Sequence, residues 1–217
     1  MDAFATQVTG WLFVAAAAMT WVGITFLPVP IASFFERDDF ARVLERFRVW
    51  IWLYRVHLFG YLVTLMAFVA LATLLSDTPA RILIWPAVAV CGAGLLTTAL
   101  ASAFYYHFGA WGALDMKGRS PDAVDNFVAS LRVTTEYVTC LVRFGRVFFG
   151  LGQLVLAIGL LHGGLVPMWV GASAAILGIA AMALTMGLPD DLHLYRYIFH
   201  LNILWLVALG VVVLRLG

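Results

Sequence analysis

The sequence predicts an all-α fold: a polytopic membrane helix bundle with six transmembrane helices and one interfacial amphipathic helix. Three observations predict it. First, 64% of the 217 residues are hydrophobic and only 12% are charged, against roughly 25% charged in an ordinary soluble domain; mean hydropathy is +0.98. Second, the apolar residues gather into six stretches that each reach the ~20 residues a helix needs to cross hydrocarbon, and no seventh fits. Third, the charges sit at the ends of those stretches. A soluble fold of this length has no interior large enough for so much apolar surface, so residues 1–217 read as a single integral membrane domain.

The first span runs from about Gln7 to Phe34, with Pro28 and Pro30 bending its end because each removes a helix hydrogen bond. The opening MDAFATQ has no positive region ahead of a long apolar stretch, which predicts a retained helix rather than a cleaved signal peptide. Next comes ERDDFARVLERFR. Phe40, Val43, Leu44 and Phe47 share one helical face while Arg37, Arg42 and Arg46 point elsewhere, the pattern of a helix lying in the membrane interface.

The second span, about Val49 to Leu75, carries Arg55 and His57 just inside its start. SDTP makes a turn, and the third span runs from Arg81 to about His107 through CGAGLLTTALASAF, whose small residues suit close helix packing. The longest connection is Phe108 to about Leu131. Within it SPDAVDNF has the marks of a helix start: Ser120 as cap, Pro121 at the first position and Asp122 in the first turn. The fourth helix therefore begins outside the membrane and enters it near Arg143. Gly145, Gly152 and Gly159 lie seven residues apart on one of its faces, and it ends at His162-Gly163-Gly164. The fifth span covers Met168 to Leu188, PDDLH is a turn, and the sixth covers Leu194 to Leu214.

Six spans put the first, third and fifth connections on one side. Eleven of the thirteen cations lie there or on the adjoining helix ends, leaving Arg81 and Arg215 opposite. The positive-inside rule makes the rich side cytoplasmic, which predicts a cell inner-membrane protein with both termini periplasmic.

Several function classes find no support. A net charge of +1 without a basic run gives nothing for nucleic acid. Cys91 and Cys140, each alone in an apolar helix, fit neither a disulfide nor a zinc knuckle. No serine elbow, HExxH or phosphate-cradling glycine loop is present, so a non-enzymatic role is favoured. The informative feature is polar. The second, fourth and sixth spans enter from the same side, and each brings ionisable or amide groups: Arg55 and His57; Glu136, Arg143, Arg146 and Gln153; Arg196, His200 and Asn202.

Intramembrane charge is costly and marks sites, although an arginine near a helix end can also snorkel to the phosphates and bind nothing specific. Basic groups converging between helices on the cytoplasmic side predict a pocket for an anionic lipid-like or amphipathic ligand, which a planar guanidinium grips by two oxygens. Such a protein serves transport, sensing or assembly, with membrane lipid, a membrane-protein partner or a second copy as partners. The alternative is a membrane enzyme or redox subunit in which His57 and His200 hold haem b, or Glu136 and a histidine act as an acid–base pair. Asp190, Asp191 and His193 form a short acidic turn of a commonplace kind, so no metal site is assigned and no other cofactor is expected.

From the fourth span onward, FFGLGQLVLAIGLLHGGLVPMWVGASAAILGI resembles the bacterial multi-pass membrane proteins grouped as domain-of-unknown-function 4386. The resemblance rests on a glycine-bearing helix, the step Leu165-Val166-Pro167-Met168-Trp169, the following Leu177-Gly178, and the ending ILWLVALGVVVLR. It covers the final third of the chain. It implies a polytopic helical fold in a bacterial membrane and brings no activity. Members often carry a glutamate early in the last helix, where this chain has His200 and Asn202.

Overall fold

The computed structural model describes residues 2–29, 36–188 and 192–217, the side chains of Leu192 and His193 excepted. Among the described residues there are helices and no strands: α1 (Ala3–Thr25), α2 (Arg37–Glu45), α3 (Phe47–Leu74), α4 (Arg81–His107), a π turn (Phe108–Gly112) leading into the one-turn α5 (Ala113–Asp115), α6 (Pro121–Gly163), α7 (Met168–Gly187) and α8 (Leu192–Leu214). Six of these segments are long and apolar enough to cross a membrane. The chain is a multi-pass membrane protein.

The helix starts follow local chemistry. Asp2 caps α1 by accepting a 2.9 Å hydrogen bond from the Phe4 backbone. Ser120 accepts one from Ala123 N at 3.3 Å, with Pro121 at the first position of α6, as the sequence predicts. The α6 C-terminus is closed by Gly164 at φ 64°, in the left-handed region, where a side chain would be strained.

Three features differ from expectation. α1 stops at Thr25 rather than Phe34; Pro28 disfavours helical backbone at the residue before it, so the helix ends ahead of the proline instead of bending through it. Residues 30–35, including Pro30, lie outside the described residues. The expected long connection is mostly helical. The π turn and α5 extend α4 as far as Asp115, and α6 begins at Pro121, the expected helix start. The amphipathic helix is present as α2, but its apolar side faces protein: Phe40 and Val43 are buried in a cluster with Trp50, Tyr54, Ala110, Ala113, Val124 and Leu131.

α6 has 43 residues and is therefore about 64 Å long, twice the ~30 Å hydrocarbon core. Its N-terminal half, which holds Asp122, Asp125, Arg132 and Glu136, stands outside the membrane-spanning part. There Arg37 of α2 pairs with Asp125, its Nε donating to Oδ1 at 2.9 Å and its Nη2 to Oδ2. The hydrogen bond raises the Arg37 guanidinium above its ordinary value and holds the Asp125 carboxyl below its own.

The six long helices form a closed ring in the order α1, α3, α4, α6, α7, α8. Among the described residues no pair across the ring brings Cα atoms within 8 Å. Neighbours approach closely where glycines permit. A Cβ on Gly152 would lie 2.6 Å from the Cys91 backbone nitrogen, and Gly145 and Gly159 face α4 at Thr98 and Ile84. The predicted glycine face is thus the α4–α6 seam. One end of the ring is filled by Phe13, Phe68, Leu156, Leu160, Trp205 and Leu209. The other, where α1 finishes and α3 and α8 begin, is not filled.

Candidate functional site

At that unfilled end lies a cavity of about 550 Å³, in the range that holds a drug-sized molecule. Five helices line it: α1 with Thr20, Ile24 and Thr25; α3 with His57, Tyr61 and Thr64; α4 with Gly94, Thr98, Ser102 and Tyr105; α6 with Val142, Gly145, Arg146 and Phe149; and α8 with Tyr195, Arg196, Phe199, His200 and Asn202. Apolar and aromatic walls surround a few polar groups. Among the described residues none of the lining side chains is acidic.

Arg146 is half-buried and lies 3.9 Å from the centroid of the Tyr195 ring, close enough for a cation–π attraction. It is also within electrostatic reach of Tyr61 and Tyr105. Arg196, one residue on, is exposed at the rim and lies over Tyr197 at 5.3 Å. Deeper in, fully buried Gln153 donates through Nε2 to Asn202 Oδ1 at 2.7 Å. These two side-chain contacts bridge α6 and α8, whose backbones do not meet.

On the opposite wall His57 is 1% exposed, and neither ring nitrogen has a hydrogen-bond partner. Its ring meets Tyr61 edge-on at 4.4 Å, and the Thr20 backbone lies beside it without good hydrogen-bond geometry. The Thr20 hydroxyl also has no partner. By contrast Thr64 donates to the Gly60 carbonyl at 2.7 Å.

Of the nine residues expected at a common pocket, His57, Arg146, Arg196, His200 and Asn202 line the cavity, and Gln153 stands behind Asn202. The other three are elsewhere. Arg55 is exposed on the bundle perimeter, donating from Nε to Tyr106 OH at 3.2 Å with Trp52 beside it. Glu136 is exposed and pairs with Arg132 at 3.5 Å, one turn away. Arg143 reaches past the end of α7, donating to the carbonyls of Thr185 at 2.7 Å and Leu188 at 3.3 Å; it serves as a cap for that helix.

Sequence reasoning missed Thr20, Tyr61, Ser102 and Tyr195. Hydroxyls in apolar spans were the available signal, but one easily discounted, since such groups also satisfy themselves on the preceding turn.

Among the described residues no group of three His, Cys, Asp or Glu could hold a metal ion. Asp190, Asp191 and the His193 side chain fall outside them. Ring and cavity together define a six-span helical membrane protein with a basic, hydroxyl-rich internal chamber. Comparison of the chain with protein-family models, curated proteins and solved structures finds no match.

Proposed function

We propose that the cavity binds an anionic lipid-like or amphipathic ligand, with the anionic group at Arg146 and Arg196 and the apolar body against Phe149, Phe199 and Leu206. One observation carries the reading: helices α1, α3, α4, α6 and α8 turn cationic and polar groups into a single cavity whose described lining has no carboxylate. Such a site attracts anions and offers nothing to neutralise a bound cation. The excess of arginines at this end supports a cytoplasm-facing cavity in the cell inner membrane, with both termini on the periplasmic side. The role is non-enzymatic: transport or sensing of the ligand, or service as a subunit of a larger membrane assembly.

The test replaces Arg146 with Gln in protein purified from its native membrane and measures co-purifying lipids and lipid-like anions by native mass spectrometry. Loss of a bound species from a folded variant is expected; identical retention by folded wild type and R146Q rejects the proposal.

A second reading has one observation in its favour: His57 and His200 line the same cavity, and the His57 nitrogens are unpartnered, so both imidazoles could serve as axial ligands of haem b. An absorption spectrum decides it, since a Soret band lost in H57F or H200F would displace the first reading.

A further inference from the structure

We infer that the ligand of this cavity carries a second, uncharged hydrogen-bonding group, a hydroxyl or carbonyl, received by His57 and Thr20. The inference rests on the proposed binding of an anionic amphiphile and narrows its class to oxygenated amphiphiles.

His57 is 1% exposed and Thr20 5% exposed, and both line the cavity. Three polar atoms on these two side chains, Nδ1 and Nε2 of His57 and Oγ1 of Thr20, have no hydrogen-bond partner. The residues are brought together by the tight crossing of α1 on α3: a Cβ on Gly23 would lie 2.6 Å from His57 Cβ, and one on Gly60 2.7 Å from Thr20 Oγ1. Buried polar groups are rarely left unpaired, because doing so forfeits their hydration without return. Other buried groups nearby are paired, as Gln153 Nε2 with Asn202 Oδ1 and Thr64 with the Gly60 carbonyl. The side chains of His57 and Thr20 line the cavity, from which a partner for their buried polar atoms can come.

The chemistry of the pair indicates what that partner is. A neutral imidazole offers one donor and one acceptor, and a threonine hydroxyl offers both, so a hydroxyl or carbonyl oxygen is matched without a net charge. The guanidinium of Arg146, with Arg196 at the rim, is the better place for the anion. A plain alkyl chain reaching the α1–α3 wall would leave all three atoms unpaired. Sites built to hydrogen-bond a substrate oxygen discriminate strongly against analogues that lack it.

The experiment uses the purified full chain in detergent and a fluorescent fatty-acid probe. Probe displacement is measured with ω-hydroxy fatty acids of graded chain length and with their plain counterparts. At one length the hydroxy acid should compete on the order of tenfold better than the plain acid, and T20V and H57F, each checked to melt with wild type, should remove that advantage. Equal competition at every length overturns the inference and assigns ordered water to His57 and Thr20. Absence of competition by either acid, or failure of the probe itself to bind, overturns the anionic-amphiphile reading together with it.

Discussion

Gln153 of α6 donates a 2.7 Å hydrogen bond to Asn202 of α8, across a gap that the two backbones never close to 8 Å among the described residues. Gln153 is fully buried and Asn202 nearly so. In an apolar surround the pair acts as a tie rod between otherwise separate helices. Truncating one end leaves the other buried and unsatisfied. Q153L or N202L should therefore lower stability by about 1–3 kcal/mol, and the double variant should recover part of that loss. Thermal unfolding in detergent over the four-member cycle gives the coupling directly; additive losses would mean that the amides are satisfied by water instead.

The α4–α6 seam makes a prediction about glycine. G152A drives a Cβ to 2.6 Å from the Cys91 backbone nitrogen, and backbone cannot swing away as a side chain can. A loss of about 1–3 kcal/mol is expected. G164A has open space but sits at φ 64°, so it should cost about 1 kcal/mol through backbone strain alone. G187A has neither problem and should stay within ~0.5 kcal/mol of wild type. Melting temperatures of the three variants check the order.

Arg143 and Arg146 lie on successive turns of one helix and should part company on mutation. Arg143 bonds the carbonyls of Thr185 and Leu188, so R143Q should loosen the end of α7 at a cost of about 1 kcal/mol and leave ligand retention unchanged. R146Q should do the reverse. Hydrogen exchange over residues 180–188 beside mass spectrometry of bound lipid separates the two effects.

The Arg37–Asp125 pair joins α2 to the part of α6 outside the membrane. Its carboxyl is held below the ordinary carboxylate range by the hydrogen bond from Arg37. The contribution is therefore complete above that range and disappears as pH falls through the depressed Asp125 value. Both side chains are about half exposed, so salt should weaken it as well. Limited proteolysis near Arg37 is expected to accelerate at acid pH and at high salt in wild type, and to be uniformly fast in D125N.

Much of the fold was legible because lipid imposes a strong rule on composition. Apolar runs of fixed length gave all six spans, and Ser120-Pro121 gave the true start of α6. What failed was local. Pro28 ends α1 rather than kinking it, and the segment after His107 stays helical although its charges suggested a loop. The cavity was legible in outline through Arg146, Arg196, His57, His200 and Asn202, since ionisable groups and amides stand out against hydrocarbon. Arg55, Glu136 and Arg143 stood out equally, and nothing in a linear sequence tells which way round a helix each one points. Thr20 and Tyr61 were lost for the opposite reason: hydroxyls in spans are common, and only the assembled ring reveals which are left without partners.

Between Pro121 and Gly145 the sequence of α6 contains no glycine and no further proline, and the helix is continuous from its capped start to its left-handed end. Such a rod has no joint at the membrane surface. Whatever grips, loads or displaces its watery half, with α2 strapped alongside, must lean the buried half in the opposite sense. A tilt of that half is therefore a tilt of the segment that carries Arg146.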